Sequence, residues 1–344
     1  MKNTFKKFLL LTAAILFFYG CAAKPLPDLV WPDAPDTPRI KFIKNLQGGA
    51  EFKQSSILEN IFLGQDMASA LKKPMSVHID KDGKIFVTDT ALGDIMIFDS
   101  VNKNTTSLGA LGVRGIAKPI GIATDSATGK IYFTDSSSNK VFAINPDGSL
   151  IDNPEAPEPF KQPSGITVDS ANRKLYVSDT QNHTIKVFDL ETLKYVSTIG
   201  SRGKEEGQFN FPSHLTIDGK GKLYVTDTMN GRIQIFDNEG KFLKAFGELG
   251  DAPGMFARPK GVAVDSEGHI YVVDAAFNNV QVFDEEGHVL MHFAGYGPGR
   301  GQLILPAGVA VDKDDYIYVV DSWNRRVSVF EFLGEKSKTR KPAK

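Results

Sequence analysis

The feature that most constrains this chain is a pattern that returns six times, at intervals of 44 to 49 residues, opened by Pro74, Pro119, Pro163, Pro212, Pro259 and Pro306. Each proline leads into an alternating apolar stretch that ends in aspartate, as in Gly261-Val262-Ala263-Val264-Asp265, and then into a glycine-containing turn. A second stretch, such as Ile270-Tyr271-Val272-Val273-Asp274, ends in Asp89, Asp135, Asp179, Asp227, Asp274 or Asp321. A short polar loop follows, then a third stretch such as Ile233-Gln234-Ile235-Phe236-Asp237, and usually a fourth such as Phe242-Leu243-Lys244-Ala245-Phe246-Gly247. Period-two alternation broken by Gly and Asp turns predicts four antiparallel strands per repeat. Four short strands in a unit of this length make a propeller blade. The expected fold class is therefore all-β, a six-bladed β-propeller.

A blade has an apolar face on each side and is stable only between neighbours, so the ring has to close. The sixth repeat stops after Arg326-Val327-Ser328-Val329-Phe330-Glu331 and lacks a fourth strand. The segment 39–48, which precedes the first repeat, reads like that missing strand and ends in glycine as the others do. We expect it to pair with the third strand of blade six, closing a ring that spans 39–333 and covering an exposed edge. Residues 21–38 carry Pro25, Pro27, Pro32, Pro35 and Pro38 and suit an extended tether. Ile57, Leu58, Ile61 and Phe62 have helical spacing within 50–73, which predicts a short amphipathic helix packed across one face. Residues 334–344 read as a basic, disordered tail.

At the N-terminus, Lys2, Lys6 and Lys7 precede an apolar run from Phe8 to Phe18 that falls short of the roughly 20 residues a membrane helix needs. Phe18-Tyr19-Gly20-Cys21-Ala22 resembles a bacterial lipobox, in which a small residue precedes a cysteine that is acylated and becomes the new N-terminus. Phe18 stands where leucine is usual. The resemblance implies a signal peptide over 1–20, a covalent lipid on Cys21 and export to the cell envelope. Ala22 rather than aspartate suits sorting to an outer membrane, facing the periplasm or the surface. Cys21 is the only cysteine, so no internal disulfide supports the fold.

Removing 1–20 takes three lysines from 40 basic residues and leaves 37 against 41 acidic ones, a formal charge of about −4. A nucleic-acid surface needs a basic excess, so nucleic acid is excluded as a partner.

Pro-x-Gly-Val-Ala-Val-Asp, a glycine turn, Tyr-Val-x-Asp and then Asn-x-Arg-Ile-Gln-Val-Phe is a pattern that resembles the NHL repeat. The best-matching stretches are Pro212 to Gly247 and Pro259 to Gly295, and repeat two is the least faithful. The resemblance implies an NHL-type propeller, a class that includes protein-binding platforms, RNA readers and, less often, enzymes. In the related peptidyl-hydroxyglycine amidating lyases, three histidines that follow the blade-opening prolines hold zinc. Here those positions are Met75, Ile120, Ser164, Ser213, Lys260 and Ala307, and only His214 lies one place further on. Lactonase-like propellers use a Glu, Asn and Asp set around an axial calcium ion, and the repeat pattern here assigns no residues to such a set.

In a propeller the loops that enter the first strand and leave the second open on one mouth of the channel. There Leu92, Met229, Phe277 and Trp323 interrupt loops of Ser, Thr and Asn, and are either partner anchors or packed against neighbouring loops. His183 and His214 occupy adjacent blades on this rim, as hydrogen-bonding side chains or as two ligands of a metal completed by Asp179 or Asp227. The recurrent aspartates, including Asp80 and Asp312, are expected to cap turns, because a residue present in every blade serves what every blade needs. No glycine-rich phosphate loop and no nucleophile elbow is present. The expectation is a monomeric, lipid-anchored binding protein or scaffold for an envelope protein or peptide, with no cofactor beyond the lipid. The alternative is a hydrolase or lyase with an axial metal.

Overall fold

A computed structural model describes residues 27–48 and 71–340. The lipobox with Cys21 and most of the expected helix at 50–73 lie outside the described residues. Two strands precede the repeats, β1 (Val30–Trp31) and β2 (Ile40–Leu46). Blade one is β3 (Pro74–Ile79), β4 (Ile85–Asp89), β5 (Asp94–Asp99) and β6 (Asn104–Ser107). Blade two is β7 (Pro119–Thr124), β8 (Ile131–Asp135) and β9 (Lys140–Ile144). Blade three is β10 (Pro163–Asp169), β11 (Lys174–Asp179), β12 (Thr184–Asp189) and β13 (Tyr195–Ile199). Blade four is β14 (Pro212–Ile217), β15 (Leu223–Asp227), β16 (Arg232–Phe236) and β17 (Phe242–Phe246). Blade five is β18 (Pro259–Val264), β19 (Ile270–Asp274), β20 (Asn279–Phe283) and β21 (Val289–Phe293). Blade six is β22 (Pro306–Val311), β23 (Tyr316–Asp321) and β24 (Arg326–Phe332), with β2 as its fourth strand and β1 as a fifth.

Each repeat proline starts an innermost strand, and these strands lie side by side around the axis, β22 returning to β3. Proline suits the start of an edge strand, where its missing N–H costs no ladder bond. The second strands of blades one, two, four and five are buried along their whole length because both faces meet a neighbouring blade. Tyr132, Tyr176, Tyr224 and Tyr271 fill the equivalent place in four of them. The outer strands β17 and β21 alternate between burial and exposure. In blade two the fourth strand shrinks to a single bridge between Ile144 and Leu150. Pro146, Pro154 and Pro157 follow β9 and remove the donors that a ladder would need.

Blades are also tied by buried hydroxyls. Thr88, Thr134, Ser178 and Thr226 sit one residue before the second aspartate. They donate to the next blade's inner strand, at the carbonyls of Ile120, Ser164, Ser213 and Lys260, over 2.6–2.8 Å. The same oxygens of Thr88, Thr134 and Ser178 accept an N–H from their own inner strand, at Ser76, Gly121 and Gly165. Blades five and six carry Val273 and Val320 instead.

The ring closes through β2, which pairs antiparallel with β24 in a register that sets Ile40 opposite Phe332, Phe42 opposite Phe330 and Leu46 opposite Val327. Phe42 and Trp31 both meet the Phe330 ring edge-on at 5.7 Å, and Trp31 also meets Phe293. Two expectations are corrected here. Residues 27–38 are not simply a free tether, because Trp31 is apolar enough to draw β1 onto the blade and the Phe42 amide bonds the Leu29 carbonyl. Residues 334–340 are not disordered: a one-turn helix, α1 (Glu335–Thr339), leads to Arg340, which stacks on Tyr316 and pairs with Glu331 at 2.6 Å.

Replacing Phe42 by alanine removes a buried ring from the closing strand and should destabilise the protein by about 3–5 kcal/mol. Thr134→Val leaves the Ser164 carbonyl and the Gly121 amide unpaired and should cost about 1–3 kcal/mol. Denaturant unfolding checks both, and a Phe42→Ala protein as stable as the parent would contradict the closure described.

Candidate functional site

The mouth onto which the inner strands start is assembled around the six second aspartates, all fully buried. In blades one, two and five each carboxylate accepts four backbone amides. Those of Asp135 come from Ala117 and Lys118 ahead of the proline and from Ser137 and Ser138 in the following loop. Burial alone would raise the pKa of Asp135, but these amides outweigh it and hold the carboxyl below its usual range. In blades three, four and six the residue three places after the aspartate is Asn182, Asn230 or Asn324. Its side-chain amide bonds the carboxylate at 2.7–2.8 Å in place of the loop backbone amides. Asp179 and Asp321 have fewer such donors, and burial prevails and raises both. The aspartates of the opposite face behave alike, with Asp80 and Asp312 each accepting two amides of their own turns.

A second alternation sits at the blade junctions. Four places after the aspartate, the backbone is left-handed in all six blades, at Gly93, Asn139, His183, Gly231, Asn278 and Arg325. Where that residue can accept a hydrogen bond, it takes the amide of the residue before the next blade's proline. Asn139 accepts from Gln162 at 2.8 Å, His183 Nδ1 from Phe211 at 3.2 Å and Asn278 from Leu305 at 2.8 Å. Those three pre-proline residues have φ of 51°, 57° and 49°, an uncommon conformation for Phe and Leu. Where the junction residue is Gly93, Gly231 or Arg325, the corresponding amide of Lys118, Arg258 or Lys73 goes to the aspartate of its own blade.

These two alternations decide where the predicted anchors point. Leu92 and Phe277 are third after the aspartate and are half-buried, Leu92 against the cluster around Leu71, Val77 and Val87. Met229 and Trp323 are second after it and stand out at 56% and 67% exposure. The flipped backbone adds two anchors that sequence reasoning missed, Phe211 at 37% and Leu305 at 44%. The signal for them was a bulky apolar residue directly before a blade-opening proline, facing Asn or His in the preceding blade. Because inner strands β14, β18 and β22 are consecutive, these four side chains occupy the sector of blades four to six. Lys118, Lys161, Ser136, Gln162 and Gln181 line a polar pocket in the sector of blades two and three.

The channel below is narrow, about 220 Å³. A Cβ on Gly121 would stand 2.3 Å from the Ser164 carbonyl oxygen, so the second place after the proline calls for glycine. Ser76 and His214 are the exceptions. His214 and His78 both line the channel, open to its lumen yet remote from bulk water. Desolvation pushes them down to about 3 and about 4, from the usual 6.5. His78 Nε2 contacts the Thr124 hydroxyl at 2.8 Å. His183 lies in the rim loop instead, with Nδ1 committed to the Phe211 amide and its ring edge-on to Phe211. No group of three metal-ligating side chains occurs among the described residues.

A family profile described as a six-bladed β-propeller matches residues 204–276 and 266–342, and the NHL repeat profile matches 160–188. This chain is an NHL-type six-bladed β-propeller. No curated protein matches the sequence of this NHL-type propeller. Among solved structures it resembles an auxiliary nutrient binding protein from Bacteroides thetaiotaomicron, with a TM-score of 0.62 at 12% identity over 77% of this chain and 70% of that one. It also resembles virginiamycin B lyase from Staphylococcus aureus, with a TM-score of 0.56 at 16% identity over 85% and 99%. A chain of a nidogen/laminin complex gives 0.56 at 17% identity over 77% and 96%. At these identities the likeness is one of fold.

The two channel histidines give the NHL propeller a pH dependence. Their folded-state pKa values lie below 6.5, so their contribution to stability is present above about pH 6.5 and is lost as pH falls toward 4. Melting temperatures at pH 7 and pH 4 should differ less for a His78→Gln, His214→Gln variant than for the parent, and an equal drop would refute this.

Proposed function

We propose that this protein is a lipid-anchored binding protein or scaffold of the bacterial cell envelope, which holds a protein or peptide partner on the channel mouth where its inner strands begin. The observation that carries the reading is the sector of Phe211, Met229, Leu305 and Trp323. These are large apolar side chains held out from loops whose backbone is fixed by buried carboxylates. Exposed aromatic and large aliphatic anchors on a rigid frame supply contact area with little entropy left to lose on binding. The likeness to a structure named for nutrient binding supports a binding role, and the lipobox-like Gly20-Cys21 supports anchoring by an acyl chain on Cys21. A ring tethered in this way remains available to envelope proteins while staying at the membrane surface.

The test is cross-linking and mass spectrometry of full-length protein in its native cells, comparing the parent with a Trp323→Ala, Met229→Ala variant. Val101, 76% exposed in the loop after β5 and so at the opposite face, provides a control as Val101→Ser. A partner should be held about 10-fold or more less tightly by the double variant, as expected for loss of hot-spot side chains, and equally well by the control. A partner bound equally by all three would place the interaction elsewhere, and the absence of any partner would end the reading.

A further inference from the structure

The polar pocket at the mouth between blades two and three has a volume of about 400 Å³ and is lined by the side chains of two lysines. Both lysines stand on a fixed main chain. The Lys118 amide bonds Asp135 at 2.8 Å and its carbonyl takes the Ser136 amide at 3.1 Å. The Lys161 amide bonds Asp179 at 2.7 Å and its carbonyl takes the Gln181 amide at 3.1 Å. The rest of the wall is Ser136, Ser137, Asn139, Gln162 and Gln181, so neither a carboxylate nor an apolar side chain lines the pocket. The Asn139 carbonyl oxygen is taken by the Gln162 amide, which leaves the Asn139 N–H groups as what that side chain offers.

The carboxylates nearest in the chain are engaged elsewhere. Asp135 accepts four backbone amides, and Asp179 takes the Lys161 amide and the Asn182 side chain. The Lys161 charge acts on Asp179 only weakly, after burial, those two hydrogen bonds and the Lys186 charge. Neither Lys118 nor Lys161 forms a salt bridge among the described residues. Two ammonium groups among hydroxyl and carboxamide donors, with no acid in the wall, complement an anion.

The same polarity extends around the mouth. The two places before and the one after each blade-opening proline hold Lys72, Lys73, Lys118, Lys161, Arg258 and Lys260 and no acidic residue. In the loops after the second aspartates, residues 90–93, 136–139, 180–183, 228–231, 275–278 and 322–325, Arg325 is the one Lys, Arg, Asp or Glu. Above its six buried, hydrogen-bonded aspartates, the mouth is thus cationic on a chain whose formal charge is −1. Such a surface steers acidic partners to this face.

What stands beside the pocket indicates which acid it takes. No aromatic ring lines it, so a sugar would find no face to stack on. A peptide finds an apolar neighbour. Gln181 lines the pocket from the turn Thr180–Asn182, and His183, which ends that turn, holds the Phe211 ring edge-on at 4.5 Å. Gln181 and His183 are two residues apart, a span of at most about 7 Å. A chain seated on Phe211 therefore brings its neighbouring side chains to the pocket.

We propose that the pocket between blades two and three is an acidic-residue subsite, in which Lys118 and Lys161 receive carboxylates of a peptide segment whose apolar residues sit on Phe211 and Met229. This subsite, which rests on the proposed function, sets the chemistry of the partner: a large apolar residue within a few places of two or more Asp or Glu. Exposed ion pairs are individually weak, so the two lysines act on selectivity and rate of encounter more than on total affinity.

The experiment follows the side-chain amide resonances of Asn139, Gln162 and Gln181 and the Met229 methyl of the full-length protein by NMR. The titrants are the acetylated and amidated peptides Phe-Gly-Glu-Glu, Phe-Gly-Gln-Gln and Gly-Gly-Glu-Glu, together with glucuronate and inorganic phosphate. The expected result is a saturable shift of the pocket resonances and of Met229 with Phe-Gly-Glu-Glu. Its affinity should fall about five-fold or more in Lys118→Met, Lys161→Met and should be unchanged in Lys241→Met, an exposed position on the opposite face; Phe-Gly-Gln-Gln should bind the parent more weakly by a similar factor. Gly-Gly-Glu-Glu binding as tightly as Phe-Gly-Glu-Glu, with Met229 unmoved, would support the acidic subsite and count against the apolar anchors of the proposed function. Equal binding of the Glu and Gln peptides, with Met229 alone moving, would overturn the subsite and leave those anchors in place. Absence of saturation at the pocket, equal binding by the lysine variant, or tighter binding of glucuronate or phosphate than of Phe-Gly-Glu-Glu would also overturn it.

Discussion

Each blade of this protein is a small sheet with two apolar faces, and neither face can be left in water. That constraint makes closure of the ring the interaction on which everything else depends. Closure joins parts of the chain far apart in sequence, with Ser328 hydrogen-bonded to Asn45 across the β2–β24 pair. The closing strand completes the ladder of blade six and removes an edge that would otherwise pair with another chain. Trp31 and Phe42 reinforce it by enclosing Phe330 from two sides. Once the ring is shut, the inner strands are pressed so close that glycine is required beside the axis, and the narrowness of the channel follows.

The mouth owes its character to how each blade satisfies one buried carboxylate. A carboxylate that accepts four amides draws its loop inward, as at Leu92 and Phe277. A carboxylate served by a loop asparagine accepts only one amide from the residues ahead of the proline. The other goes to the preceding blade, with the left-handed backbone seen at Phe211 and Leu305. Strain of this kind persists only where the surroundings over-determine it. Here it presents the apolar side chains of Phe211 and Leu305 to solvent. The same bookkeeping of donors explains His183, which does for blade four what an asparagine does for blades three and six. His183 Nδ1 thus serves the backbone, while His214 in the channel has a buried Nε2 with no hydrogen-bond partner.

Much of this was legible in the sequence, for physical reasons that can be named. The prolines and aspartates recur because every blade needs an edge-strand start and a turn acceptor, so the ring, the strand count and the role of segment 39–48 follow from the repeat alone. Blade two could be recognised as irregular from the prolines after Ile144, although the loss of its fourth strand depends on what the neighbours leave unpaired. The direction of the loop side chains was written in their distance from the aspartate, two places for Met229 and Trp323 and three for Leu92 and Phe277, but it becomes interpretable only once the amide donors are known. Phe211 and Leu305 were hidden because their exposure depends on a residue in a different blade. The docking of Trp31 and Arg340 was missed because proline-rich and basic segments read as solvated until a complementary surface, here Phe330 and Tyr316, is brought beside them.

The central claim is that partners are held on the mouth where the inner strands start, within the sector of blades four to six. It is tested most directly by placing a photo-reactive amino acid at Trp323 and, separately, at Val101 on the opposite face of the full-length protein, then irradiating living cells. The account predicts a discrete covalent adduct from position 323 and none from position 101. An adduct formed only from position 101 would contradict it.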